Sequence, residues 1–190
     1  MKIKIHFLCK LIVLVMIVRV AVATADPDVP KGIIVLDGKP APALKLKNMD
    51  GEPFDLADVR GRWAFVHFWA SWCGPCRKEM PTIQAMAKQL SDNQLSDTQL
   101  SNEGLEIVMV NTAETDDTVF SFMGIVAPDL TPLLDYDGLV TEAWQPRGLP
   151  STFLVDPQGQ LRYLALGGRP WNKPQYIQFL ERIITQNNSP

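Results

Sequence analysis

The chain has 190 residues, 46% of them hydrophobic and 21% charged, with a formal net charge of −3. That length suits one domain with a core of its own, and the composition is that of an ordinary globular protein. There is no clustered basic surplus of the kind a nucleic-acid-binding face needs, so no nucleic-acid partner is expected.

The first segment reads as a targeting signal. Lys2, Lys4 and Lys10 form a positive n-region, and Leu11 to Val18 an apolar h-region. Ala21-Val-Ala23 and Ala23-Thr-Ala25 are small-x-small cleavage patterns. Residues 1–25 are therefore expected to be a cleaved signal peptide, which places the mature chain in the periplasm or otherwise outside the cytoplasm. The alternative is an N-terminal membrane anchor. Arg19 interrupts the apolar run, which falls short of the ~20 residues that span a bilayer. Cys9 precedes the h-region and follows Phe7-Leu8 rather than small residues, so it reads as an incidental apolar residue in a discarded segment. Without residues 1–25 the chain keeps 14 basic and 21 acidic side chains, a net charge of −7, and two cysteines. One cysteine pair does not make a disulfide-stapled scaffold.

Residues 26–38 mix Pro, Gly and Asp with Ile33-Ile-Val-Leu36 and read as a linker carrying a short docking strand. The domain proper is expected over 39–190. Ala43 to Lys47 alternates as a half-buried strand, Met49-Asp-Gly51 turns, and Glu52 to Leu56 returns. Leu56 to Gly61 is one short helical turn. Trp63 to Trp69 is apolar throughout, as in a central strand. After it come Cys73 and Cys76, then a helix with Met80, Ile83, Met86, Ala87 and Leu90 on one face. Pro81 lies inside that helix and is expected to kink it. Ser91 to Asn102 is polar and reads as a loop with a ragged helix end. Leu105 to Val110 is a strand. Thr115 or Asp116 caps a helix running to about Met123. Leu133-Leu134 starts a short strand, and Leu139 to Trp144 a short helix. Ser151 to Val155 and Leu161 to Leu166 form a hairpin around Asp156-Pro-Gln-Gly159. A last helix from about Lys173 shows Tyr176, Ile177, Leu180, Ile183 and Ile184 on one face. Strand–helix alternation closed by a hairpin and a helix predicts an α/β fold, a central mixed β-sheet flanked by helices.

The chemistry is expected at Cys73-Gly-Pro-Cys76. A Cys-X-X-Cys where a buried strand runs into a helix is a redox arrangement, because the helix N-terminus favours thiolate over thiol. Pro75 suits the first helical turn, and Gly74 leaves space beside the sulfurs. A half zinc site and a static disulfide are the bland alternatives. Zinc would need two more ligands, whereas the other cysteine is Cys9 and the histidines are His6 and His67. The pattern calls for no metal and no cofactor.

Phe68-Trp-Ala-Ser-Trp-Cys-Gly-Pro-Cys-Arg-Lys-Glu-Met-Pro81 closely resembles the thioredoxin superfamily, and within it the extracytoplasmic TlpA/ResA type of thiol-disulfide oxidoreductase. The likeness runs from about Lys39 to Ile184 and implies a thioredoxin-like fold with an N-terminal β-hairpin extension. It implies exchange of a Cys73–Cys76 dithiol/disulfide with exported protein thiols; the same pair serves either direction, and the expectation is a reductant, with apocytochrome c among the clients and a membrane thiol-reducing donor. Cys73, nearer the helix start, would be the nucleophile and Cys76 the resolving cysteine. The resemblance makes Leu149-Pro150 a cis peptide beside the cysteines, with Leu149 and Trp72 touching the client; from the residues alone Pro150 could simply begin a strand. His67 stands where thioredoxins carry a buried acid. It is either a hydrogen-bonded core histidine or a proton acceptor for Cys76. Glu79, one helical turn after Cys76, is either a solvent-facing acid or a modulator of the cysteine pKa. Two other function classes stay open: a Cu(I)-binding metallochaperone, with His67 as the histidine left in the mature chain, and a redoxin-type thiol peroxidase, whose sites surround the cysteine with Thr and Arg.

Overall fold

The computed structural model describes residues 29–96 and 104–186; the expected signal segment and Cys9 lie outside them. The elements, in order, are β1 (Ile33–Val35), β2 (Lys45–Asn48), β3 (Pro53–Asp55), a 3₁₀ turn (Leu56–Val59), β4 (Trp63–Trp69), α1 (Gly74–Ser96), β5 (Leu105–Thr112), α2 (Asp116–Val126), β6 (Pro132–Asp135), α3 (Leu139–Trp144), β7 (Ser151–Val155), β8 (Leu161–Leu166) and α4 (Pro174–Gln186).

β4 is the axis of the molecule. All seven of its residues are buried, because it is flanked on both edges and covered on both faces. It pairs in parallel with β5 and antiparallel with β7. The eight-stranded sheet runs β1-β8-β7-β4-β5-β6-β2-β3. Strand alternation then splits the core in two. Phe65 and Trp69 point to the face that carries Cys76, Met80 and Ile83 of α1, Phe122 of α2 and Ile177 and Leu180 of α4. Ala64, Val66 and Phe68 point the other way, toward Leu44, Leu56, Val59 and Trp144. Phe68 is fully buried and meets the rings of Trp144 and Phe153. Truncating it to alanine would cost about 3–5 kcal/mol.

The β2–β3 hairpin turns at Asn48, whose Oδ1 accepts the N–H groups of Asp50 (3.0 Å) and Glu52 (2.9 Å). Gly51 sits at φ 80°, where a side chain would be strained. The hairpin extends the sheet itself, because β2 pairs antiparallel with β6. β1 closes the opposite edge against β8.

Two expectations are refined. The segment from Ser91, read as a loop with a ragged helix end, carries that helix end as far as Ser96. A helix already formed adds one hydrogen bond per residue, so it runs on through polar residues that would not nucleate one. Thr115 does sit at the N-cap of α2, but without a capping hydrogen bond; its hydroxyl is 3.0 Å from that of Thr118.

Candidate active site

The site begins where β4 stops. Ala70 to Cys73 makes a turn closed by the Cys73 N–H donating to the Ala70 carbonyl at 3.2 Å, and α1 starts at Gly74. Cys73 and Cys76 are joined in a disulfide. The Cys76 N–H donates to the Cys73 sulfur at 3.2 Å. That is one of the unpaired amides of a helix N-terminus, and its partial positive charge favours a thiolate once the bond is reduced. Cys73 keeps 4% of its surface accessible and Cys76 none. Trp72 is 72% exposed, whereas Trp69 is fully buried against the ring of Phe122. Gly74 faces open space.

The Leu149–Pro150 bond is cis. Ser151 pairs with Phe68, so Pro150 lies one residue further along, at the end of the sheet where the cysteine turn begins. Its carbonyl accepts the Gly167 N–H at 2.8 Å. Gly168 then runs beside α1: a side chain there would come within 3.5 Å of the Pro75 carbonyl oxygen and 3.7 Å of Glu79 Oε2. Between α1 and this loop lies a cavity of about 530 Å³, lined by Gly74, Pro75, Lys78, Glu79, Arg169 and Pro170 among others.

Glu79 is not solvent-facing: only 2% of it is accessible. The indole N–H of Trp171 donates to its Oε1, and Oε2 has no partner. Burial raises its pKa from 4.5 to about 7, against the opposing pull of the Trp171 hydrogen bond and of Arg169. Thr82 ties the same loop to the helix, accepting the Trp171 backbone N–H at 3.1 Å. His67 is fully buried on the Phe65 side of β4. The β4–β7 register sets it opposite Thr152, and its Nδ1 lies 2.9 Å from the Thr152 hydroxyl. Its Nε2 is buried without a partner. Burial lowers its pKa from 6.5 to about 3, so the ring is neutral at physiological pH.

A model of the AhpC/TSA family matches residues 38–164. Thiol-disulfide oxidoreductase ResA of Bacillus subtilis is 33% identical over 133 residues, 70% of this chain and 69% of that protein. ResA of Geobacillus thermodenitrificans is 31% identical over 77% of each. The chain belongs to the AhpC/TSA family, among its ResA-type thiol-disulfide oxidoreductases. A solved structure from Chlorobium tepidum, assigned as the thiol:disulfide interchange protein DsbE, agrees with a TM-score of 0.62 at 28% identity, covering 80% of this chain and 99% of that one.

In a ResA-type oxidoreductase the substrates are protein thiols and disulfides, and the thioredoxin-like fold expected from the sequence is present. The structure gathers Cys73, Cys76, Gly74, Pro75 and Glu79 around one helix start, with Pro150 at the same end of the sheet. His67 lies within the strand, below that end. Among the described residues no cluster of three or more His, Cys, Asp or Glu side chains could hold a metal ion, and no helix is long and apolar enough to cross a membrane. Sequence reasoning passed over Trp171, which clamps Glu79, and over Ser71, Asn111 and Glu114 beside the cysteine turn. A polar Asn at the end of the otherwise apolar run Ile107 to Val110 was the available signal for the last group.

Proposed function

We propose that Cys73 is the nucleophile and Cys76 the resolving cysteine, and that the pair works as a reductant of exported proteins. The Cys73 thiolate attacks a client disulfide: one Cys73–client S–S bond forms, the client's own breaks, and a client thiolate leaves. Cys76 then loses its proton and attacks Cys73. That closes the Cys73–Cys76 disulfide and releases the second client thiolate, so two electrons have passed to the client. A thiol-reducing donor in the membrane returns two electrons to the pair. The observation that carries Cys73 as the nucleophile is the Cys76 N–H held 3.2 Å from its sulfur at the start of α1, which favours the thiolate there.

Glu79 takes the proton from Cys76. It follows by one helical turn, and its pKa of about 7 leaves it part-ionised at neutral pH, as a general base needs. His67, held near 3 by burial, is too weak a base for that step and serves as a neutral hydrogen-bonding group. Trp72, Leu149 and Pro150 form the client-contact surface, where an extended client segment adds alongside the backbone of Leu149. The neighbouring cavity offers room for a client side chain. Residues 1–25 direct export, and haem-site cysteines of apocytochrome c are the client class we favour.

The test is trapping. Cys76→Ser protein should hold clients as mixed disulfides on Cys73, released by dithiothreitol and absent from a Cys73→Ser control. Recovery of equal adducts from both variants would remove Cys73 as the nucleophile, and a reduction potential near that of a strong oxidant would remove the reductant reading.

A further inference from the structure

Glu114 stands in the loop between β5 and α2, 43 residues from the cysteine turn, yet it holds that turn. Its Oε2 accepts the Ser71 backbone N–H at 2.7 Å and its Oε1 the Ser71 hydroxyl at 2.5 Å. Asn111, fully buried at the end of β5 and paired in register with Trp69, donates its Nδ2 to Oε2 at 2.7 Å. A carboxylate has only acceptors, and three donors converge on this one. The backbone before it is strained: Ala113 has φ 54°, in the left-handed region that residues other than glycine seldom adopt. Ala113 is held there by its N–H donating to the Asp135 carbonyl at 2.9 Å. Strain of this kind persists where the surroundings over-determine it and gathers at functional sites.

Ser71 and Trp72 are the two central residues of the turn that presents Cys73. With 72% of its surface accessible, Trp72 has little packing to aim it. The turn backbone sets its direction, and Glu114 sets the turn.

We propose that Glu114 is a positioning residue, which through Ser71 fixes Trp72 and the Cys73 turn in the orientation that a protein client docks against. Small disulfides, which need only the sulfur, do not depend on it. The proposal rests on the reading of Trp72 as client-contact surface, and the test separates the two.

The experiment follows reduction by the full-length reduced protein of two disulfides, insulin and 5,5′-dithiobis(2-nitrobenzoate). Glu114→Ala should slow the insulin reaction about tenfold and leave the small disulfide within about twofold, the pattern of lost orientation rather than lost nucleophilicity. Ser71→Ala should lose part of the insulin rate, and the Ser71→Ala/Glu114→Ala double variant should be no slower than Glu114→Ala. Glu114→Gln, which keeps one acceptor oxygen, should recover most of it. Equal slowing of both disulfides, or additive effects of Ser71 and Glu114, overturns the proposal. Trp72→Ala distinguishes the failures: a normal insulin rate in that variant removes the docking role of Trp72, whereas a slow rate there beside a normal one in Glu114→Ala removes Glu114 alone. Should Glu114→Ala not fold, Ser71→Ala carries the comparison: it should slow insulin and leave the small disulfide within about twofold, and equal slowing of both overturns the proposal.

Discussion

Replacing Glu79 by Gln tests whether the buried carboxyl is what the structure makes it. Gln has the same shape and keeps an oxygen for the Trp171 indole, but it cannot ionise. In the unfolded chain Glu79 titrates near 4.5, and in the fold near 7. Below pH 4.5 the group is protonated in both states, and its contribution to stability is fully present. As pH rises toward 7 the unfolded chain ionises first, so that contribution drains away and is gone once the folded carboxyl also ionises. The difference of 2.5 pKa units amounts to about 3 kcal/mol. Glu79→Gln lacks this loss, so its stability relative to wild type should rise by about that amount between pH 4 and pH 8. With a guanidinium m-value of about 3 kcal/mol/M, the two unfolding midpoints would separate by a further ~1 M across that range. The assay is denaturant unfolding of both oxidised proteins, followed by tryptophan fluorescence at a series of pH values. A difference that stays flat to within about 1 kcal/mol would show that the carboxyl is not desolvated in the fold and would remove the ground for its acid–base role.

His67 should show the opposite trend. Its pKa falls from 6.5 unfolded to about 3 folded, so its contribution is present above pH 6.5 and is lost as pH falls toward 3. Wild type should lose about 3 kcal/mol relative to His67→Asn between pH 7 and pH 4, measured by the same unfolding series; parallel curves would contradict the buried neutral ring. Trp171→Phe removes a hydrogen bond that lowers the Glu79 pKa, so Glu79 should titrate higher still, as read from the carboxyl carbon by NMR; an unchanged or lower value would mean that the indole does not support the charged form. Leu149→Asp should slow insulin reduction more than reduction of a small disulfide if Leu149 touches the client, and equal rates would take it off the docking surface.

The cysteines were legible because redox chemistry of this kind is local. Two thiols within one helical turn, after an apolar run of strand length, need nothing from elsewhere in the chain to find each other. Trp63–Trp69 was legible as the central strand for a related reason, since a strand buried on both faces has no polar side to show. Glu79 was not. Spacing along α1 put it one turn from Cys76, but the same spacing serves an exposed acid; what buried it was Trp171, 92 residues later. The environment of His67 likewise came from the β4–β7 register, which placed Thr152 across from it. Glu114 lay among the polar residues between a strand and a helix, where nothing in the local pattern marks an acid that reaches back to Ser71.

By itself, then, the sequence determined the elements, the reactive pair and the end of the sheet where that pair emerges, because periodicity and short motifs are set by neighbours along the chain. Only the tertiary structure decided the electrostatics around the pair. Which carboxyl is desolvated, which imidazole stays neutral and which acid grips the cysteine turn depend on strand register and on loops crossing from far away, and a pKa follows the groups packed around a side chain rather than its neighbours in sequence.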